Sequence, residues 1–182
     1  MTKPVSFSFL GLADDMKGFP EFVELATALA PSWRQAVRFD LIGGTRSGEL
    51  PPSGPWVTTY TQSGPMPRNL FEATLRETSY AVFPFRTFYY RLTPSGSVLD
   101  AFSAGKPVIA IRNSQFEEMF QSMGDIGYLC KDVNEMKNLV ATILRDPPRD
   151  RYRKQSQNIL ASRGIYQPHA VATQLREALS SN

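Results

Sequence analysis

The stretch YYRLTPSGSVLDAFSAGKPVIAI, from Tyr89 to Ile111, holds the residues of this chain that are best suited to binding an anion. In it, Ser95, Gly96 and Ser97 stand directly before an apolar segment with helical spacing. The free N–H groups and the dipole at a helix start favour negative charge, and a glycine lets a phosphate approach the backbone closely. The pattern therefore predicts a phosphate-binding helix start.

The same residues also permit a structural interpretation. Ser97 is able to cap the helix, and Asp100, three residues later, is able to return the bond as a capping box. Local chemistry favours neither interpretation, so both stay open at this point.

A second loop, GLADDMKGF at 11 to 19, carries a basic side chain just before another helical segment. Lys17 there is able to meet phosphates as a point charge, and Gly18 eases a tight turn. Taken alone, a Lys-Gly pair is typical of an exposed turn. In an open parallel sheet, however, ligands bind at the carboxyl ends of the strands, where both loops are expected to lie.

These loops connect alternating strand and helix patterns. Apolar runs predict strands at 5 to 11, 37 to 44, 56 to 61, 79 to 85, 107 to 111 and 127 to 130. The helices expected between and after them are one with apolar residues at 22, 25, 26 and 29 that Pro31 ends, one with an inner face at 70, 73, 74 and 77, and others at 97 to 104, 114 to 122, 133 to 144, 148 to 162 and 169 to 179. The alternation predicts an α/β fold, a Rossmann-like doubly wound parallel sheet with a C-terminal helical tail.

Composition narrows the class of protein. The 182 residues are 42% hydrophobic and 20% charged, as expected for one globular domain, and the net charge of +3 is too small and dispersed to suggest nucleic-acid binding. The single cysteine, Cys130, excludes an internal disulfide, and no metal-ligand cluster is evident in the sequence. Since no apolar run is long enough to span a bilayer and the start lacks a signal-peptide pattern, we expect a cytoplasmic protein, free or peripherally at the inner face of a membrane.

In order and spacing, residues 5 to 180 resemble the C-terminal, donor-binding domain of GT-B glycosyltransferases, especially the large retaining group 1, or family 4, that uses nucleotide sugars. The segments FLGLADDMKGFPEFVELATAL, FDLIGG, AVFPF and SGSVLDAFSAGKPVIAI carry the resemblance. It implies a donor site in which Gly11, Lys17 and the loop of Ser95, Gly96 and Ser97 bind the diphosphate. It also implies that Asp100, shorter than the commoner glutamate, binds the ribose.

Other positions are weaker candidates or departures from the family pattern. Gly43 and Gly44 would let the nucleotide pass close to the second strand, although an ordinary turn explains them equally well. The family's sugar-contacting carboxylate is replaced by Leu92, and the arginine that often follows the first glycine is absent. Arg86 or Arg91 would have to supply the missing positive charge. His169 is expected to be an exposed or capping side chain, and no catalytic residue is assigned.

The resemblance implies one donor-binding domain over 1–182, with 148–182 as its helical tail and the N-terminal acceptor domain absent from this chain. The expected function is binding of a nucleotide-diphosphate sugar for transfer of a hexose to a saccharide or lipid-linked acceptor. No cofactor or metal is expected, and the partner is an acceptor domain in the full-length chain or in trans. The alternatives are a nucleotide-sugar epimerase of the same fold and a non-catalytic nucleotide-binding or partner domain. The chain alone is expected to transfer no sugar.

Overall fold

A six-stranded parallel sheet, β3-β2-β1-β4-β5-β6, forms the centre of the fold. The structure is a computed structural model that describes residues 3–45, 53–61, 64–85, 95–166 and 168–180. The strands are β1 (Val5–Leu12), β2 (Val37–Gly44), β3 (Val57–Thr59), β4 (Tyr80–Phe83), β5 (Val108–Ile111) and β6 (Gly127–Cys130). This order, reversing beside β1, is that of a Rossmann-like doubly wound sheet and confirms the predicted fold class.

In the described part of the chain, helices connect successive strands except between β2 and β3, and three helices follow the last strand. Within the described residues they are α1 (Phe19–Trp33), α2 (Arg68–Glu77), α3 (Gly96–Ser103), α4 (Ser114–Met123), α5 (Val133–Arg145), α6 (Arg149–Ser162) and α7 (Pro168–Ser180). All lie within three residues of the helices predicted from the sequence. Helices α6 and α7 come in succession without a strand between them, as expected for the helical tail.

The two faces of the sheet bury separate apolar cores, because neighbouring side chains of a strand point to opposite faces. Phe7 and Phe9 of β1 belong to a core shared with α1 and α5. Leu10 belongs to the other core, which includes side chains of α2, α3, α4 and α6. The sheet is therefore covered on both faces. In such a fold, a ligand site is expected in the loops at the carboxyl edge of the sheet.

Two helix predictions were wrong in detail. Pro31 does not end α1, which runs two residues further, to Trp33. In the last turn the missing proline N–H removes one helical hydrogen bond without stopping the chain from continuing. In α2 the inner face is formed by Phe71, Thr74 and Leu75, while Leu70 is 36% exposed. The bulkier Phe71 ring takes the core position, which shifts the inner face by one residue.

A buried carboxylate joins β1, β2 and the chain after β3. Asp40 is fully buried, and its Oδ2 accepts hydrogen bonds from Ser6 Oγ at 2.6 Å and from Arg38 Nε at 2.8 Å. Its Oδ1 accepts from the Tyr60 hydroxyl at 2.9 Å. Burial, followed by the charge of Asp40, raises the pKa of Tyr60 to about 12, so the phenol remains a donor at neutral pH. Asp40 thus has three donors in place of water.

We predict that Arg38→Met lowers the free energy of unfolding by about 3 kcal/mol, because it leaves a buried carboxylate without its cationic partner. Urea denaturation followed by circular dichroism measures the change. The matched control is Arg153→Met, since Arg153 pairs with Asp150 at 3.5 Å on the surface, with both side chains largely exposed. The control should change stability by less than about 0.5 kcal/mol. Equal effects of the two substitutions would contradict a structural role for the Asp40 network.

Candidate functional site

The ends of β1, β2 and β4 and the start of α3 meet at the carboxyl edge of the sheet. Gly11 of β1 lies opposite Gly43 of β2, and the N–H of Ala13 donates to the carbonyl of Gly44 at 2.8 Å. The two strands therefore stay together to the point where their loops begin. Residues from the first, second and fourth strands are brought to one place by this register.

The backbones approach so closely here that side chains do not fit. A Cβ atom built on Gly43 would overlap the carbonyl oxygen of Gly11, and one built on Gly44 would overlap that of Gly64. A Cβ atom on Gly11 would overlap Ser97 Oγ and lie 3.1 Å from Lys17 Nζ. The side chains of Lys17 and Ser97 thus converge on Gly11, although 80 residues of sequence separate them.

Lys17 owes its position to the loop that surrounds it. Its N–H donates to Asp14 Oδ1 at 2.7 Å, and Gly18 precedes α1 with a φ of 74°. A Cβ atom on Gly18 would overlap the carbonyl oxygen of Pro84, just after β4. Gly18 is therefore required both for the left-handed turn and for the contact between this loop and β4. The contact holds the backbone next to Lys17 at the carboxyl edge of the sheet.

The start of α3 differs from the capping interpretation. Ser95, not Ser97, is the N-cap residue, and α3 begins at Gly96 with no side-chain cap bond. The capping box of Ser97 and Asp100 was therefore wrong, because the Ser97 hydroxyl lies against Gly11 and Asp100 pairs with another helix. Among the residues that the structure describes, nothing lies within 4 Å of a Cβ atom built on Gly96, so none of them covers the first residue of α3.

Two hydroxyl groups near the carboxyl edge are buried without a partner among the described residues. Ser95 is 5% exposed, and Thr45, directly after β2, is 4% exposed. Neither Ser95 Oγ nor Thr45 Oγ1 makes a hydrogen bond to a described residue. Buried polar groups are nearly always satisfied, so each of these hydroxyls has capacity for a further donor or acceptor. The sequence analysis did not identify Thr45, which carries no recognisable motif.

The Asp100 carboxylate faces the first residue of α2. Arg68 Nη1 lies 3.0 Å from Asp100 Oδ1, and Arg68 Nε lies 2.7 Å from Glu72 Oε1. Hydrogen bonds to Glu72 and then Asp100 raise the pKa of the Arg68 guanidinium above its usual value. The sequence analysis missed Arg68, because nothing in one sequence indicates that the starts of α2 and α3 lie side by side.

Three of the predicted positions, Arg86, Arg91 and Leu92, are outside the described residues. His169, in the first turn of α7, is exposed. Cys130 is buried at the end of β6, and burial raises the pKa of its thiol to about 12, so it is a packing residue. No helix in the described part of the chain has the length and apolarity needed to cross a membrane. The described residues also contain no group of three or more metal-ligating side chains.

Comparison with known families shows which family the chain belongs to. The sequence model of the family "Glycosyl transferases group 1" matches residues 5–146, and the chain belongs to this family. The match covers the sheet and helices α1 to α5, including every strand end described above. The family is that of the transferase interpretation and not that of the epimerase alternative. No curated protein matches the chain in sequence.

Solved structures show the same fold at low sequence identity. The C-terminal domain of the glycosyl transferase group 1 protein LpcC from Francisella tularensis is 16% identical, with a TM-score of 0.65 over 90% of this chain and 87% of that one. HepE from Anabaena, in complex with UDP and glucose, is 17% identical, with a TM-score of 0.73 over 99% and 49%. A UDP-forming α,α-trehalose-phosphate synthase from Burkholderia vietnamiensis is 15% identical, with a TM-score of 0.67 over 98% and 46%.

The coverage defines which part of such proteins this chain represents. It spans 87% of the isolated C-terminal domain but about half the length of the other two chains, 49% and 46%. In fold, the described sheet and helices therefore match a C-terminal domain in one of these proteins and about half of the chain in the other two.

The close approach at Gly11 yields a prediction about stability. Gly11→Ala should lower the free energy of unfolding by about 1–3 kcal/mol, because φ there is 98° and the new methyl group would overlap Ser97 Oγ. Gly96→Ala is the matched control, since its methyl group would meet open space, and should stay within about 0.5 kcal/mol of wild type. Thermal and urea unfolding measure both variants. A Gly11→Ala protein as stable as the control would disprove the tight convergence of β1 and α3.

Proposed function

We propose that this domain binds a nucleotide-diphosphate sugar at the carboxyl edge of its sheet and supplies the donor half of a glycosyltransferase. The observation that carries the proposal is the convergence of Lys17 Nζ and Ser97 Oγ on Gly11, directly beside the start of α3. These residues come from separate connections of the sheet. The convergence places the Lys17 ammonium and the Ser97 hydroxyl next to the N–H groups at the start of α3, so that all three are able to bind one anion.

The diphosphate of the donor suits this arrangement in charge and shape. The N–H groups of Gly96 and Ser97, at the start of α3, have no helical acceptor, and no side chain of the described residues caps them. Gly96 presents backbone and no side chain, so phosphate oxygens are able to approach those N–H groups directly. The ammonium of Lys17 adds a point charge, and the buried Ser95 hydroxyl is a further donor.

The ribose is assigned to Asp100 because of its place on α3. Asp100 lies three residues after Ser97, about 4.5 Å further along the helix axis, which is a suitable distance between a diphosphate and the hydroxyls of its ribose. Its side chain is 27% exposed and able to accept hydrogen bonds from a ligand. Gly43 and Gly44 are proposed donor contacts because they end β2 at the carboxyl edge, beside Gly11 and Leu12 of β1. Arg86 and Arg91 remain proposals outside the described residues.

The domain acts on the leaving group in this proposal. Breaking the bond between sugar and diphosphate places negative charge on the departing nucleotide, and fixed N–H dipoles and Lys17 stabilise that charge as it develops. HepE, a structural relative, was solved with UDP and glucose, which supports a nucleotide sugar as the ligand class. We keep the cytoplasmic location and a role in polysaccharide biosynthesis as parts of this proposal.

The acceptor half is proposed to come from an N-terminal domain, in the same full-length chain or in trans. Two relatives are about twice as long as the part that this chain matches, which supports that expectation. A saccharide or a lipid-linked saccharide would bind in the cleft between the halves. The reacting hydroxyl and donor carbon would then be held together by both domains.

The phosphate site is tested by two substitutions that spare the core. Lys17→Ala and Gly96→Val should each weaken nucleoside diphosphate binding about tenfold or more, because one removes a charged contact and the other places a side chain where phosphate approaches. Calorimetry with UDP, GDP and ADP, and with their sugars, measures the affinity and identifies the base.

Each substitution has a control at a distance. Lys154→Ala removes the same charge from an exposed position of α6, and Gly164→Val fills open space near the start of α7. Both controls should bind as wild type does, and all four variants should keep their thermal unfolding temperatures within a few degrees. Unchanged affinity in both site variants would refute the phosphate site.

Transfer itself is predicted to require the second half. The purified 182-residue chain should release no nucleotide in response to added saccharide or lipid acceptors, because alignment of acceptor and donor contributes roughly 7–11 kcal/mol and needs both walls of the cleft. Assays with and without an N-terminal GT-B domain added in trans measure this. Robust acceptor-dependent turnover by the chain alone would require a catalytic group not identified among these residues.

A further inference from the structure

A line of charged side chains runs from the outer surface of α2 to the proposed ribose-binding residue on α3. Arg76 Nη2 lies 4.0 Å from Glu72 Oε2, Glu72 Oε1 lies 2.7 Å from Arg68 Nε, and Arg68 Nη1 lies 3.0 Å from Asp100 Oδ1. They line a groove of about 270 Å³ between the two helices. The line ends at the residue that the proposed function assigns to ribose.

Arg68 is held by three contacts, although its side chain is 67% exposed. Glu72 accepts from Nε one helical turn away, and the guanidinium lies over the Phe71 ring, 5.3 Å from its centre. Nη1 is the group that reaches across to Asp100. An arginine fixed by a carboxylate and a ring keeps its planar fork in one orientation, which directs a donor at the neighbouring helix.

The contact occupies one oxygen of Asp100 and leaves the other for a ligand. Within the described residues, Oδ1 accepts from Arg68 and no donor contacts Oδ2. A carboxylate held through one oxygen loses its rotational freedom before the ligand arrives. Its second oxygen is then presented in a fixed direction to the hydroxyls of a ribose.

We propose that Arg68 is a positioning residue, which orients the Asp100 carboxylate to bind the ribose hydroxyls of the nucleotide. The inference rests on the proposed function, because it assumes a nucleoside diphosphate at the carboxyl edge. It adds a determinant of sugar recognition on α2, a helix that the proposed phosphate contacts do not include. Residues of two helices, α2 and α3, therefore determine how the ribose is bound.

The test compares three ligands on each variant. They are the nucleoside diphosphate that binds wild type most tightly, its 2′,3′-dideoxy counterpart and inorganic pyrophosphate. Wild type should prefer the ribonucleotide by about tenfold or more, as expected for hydroxyls bound to a carboxylate. Asp100→Asn should remove most of this preference while leaving pyrophosphate affinity unchanged.

Arg68→Met retains the aliphatic stem over Phe71 and removes the donor. It should reduce the preference for the ribonucleotide about two- to fivefold, in the range of an exposed charge pair, with the dideoxy ligand and pyrophosphate binding as in wild type. Arg68→Lys keeps the charge but loses the planar fork, so its preference for the ribonucleotide should lie between those of wild type and Arg68→Met. The matched control is Arg76→Met, which removes an arginine that contacts the same Glu72 but has no bond to Asp100. It should bind all three ligands as wild type does.

The outcomes separate this inference from the proposed function. If Arg68→Met keeps the wild-type preference, raises it, or weakens all three ligands equally, Arg68 does not position Asp100, while the donor site stands. If wild type binds no nucleoside diphosphate, the proposed function and this inference both fail. A purely structural role for Arg68 would alter thermal stability and leave the ratio between ribonucleotide and dideoxynucleotide unchanged.

Discussion

At the end of β1 the neighbouring backbones and side chains are so close that positions 11 and 43 accommodate only glycine. The carbonyl of Gly11 lies where a side chain on Gly43 would begin, and Ser97 Oγ lies where one on Gly11 would begin. Because these atoms are this close, the first two strands, the loop of Lys17 and the start of α3 are able to meet at one point. A side chain at Gly11 would force the start of α3 away from the strand, and the ammonium and the helix N–H groups would then face different places.

In the proposed site, recognition of the diphosphate depends mainly on backbone, and recognition of the ribose, one helical turn away, depends on side chains. The start of α3 offers N–H groups and a glycine that no described residue covers, which suit any diphosphate regardless of what it carries. Asp100 and Arg68 lie beyond it and offer a carboxylate whose direction is fixed by a neighbouring helix. Under this proposal the first arrangement gives affinity for charge, and the second distinguishes what is attached to that charge. Sequence changes in α2 would then alter ligand preference without affecting the phosphate contacts.

The fold could be predicted from the sequence because each element carries its own local pattern. Apolar runs such as 37 to 44 and the breaks between them mark the strands whatever their neighbours, so every strand and helix was found to within a few residues. The predictions were wrong where tertiary packing determines which side chain is buried or which bond it makes. Whether Phe71 or Leu70 faces the core depends on the sheet below, and whether Ser97 caps a helix or lies against Gly11 depends on β1. Arg68 and Thr45 were missed for the same reason, since their importance comes from residues distant in sequence.

The position of β1 also has a consequence for how the domain is made. β1 is synthesised before the other five strands of this sheet, yet it lies inside the sheet, between β2 and β4. It can pair with β2 once that strand has been made, but its other edge stays open until β4 follows. Ser97 reaches Gly11 later still. The proposed ligand site is therefore incomplete in every partly synthesised chain that ends before α3, so under this proposal nucleotide stabilises only chains in which both halves of the sheet have already joined.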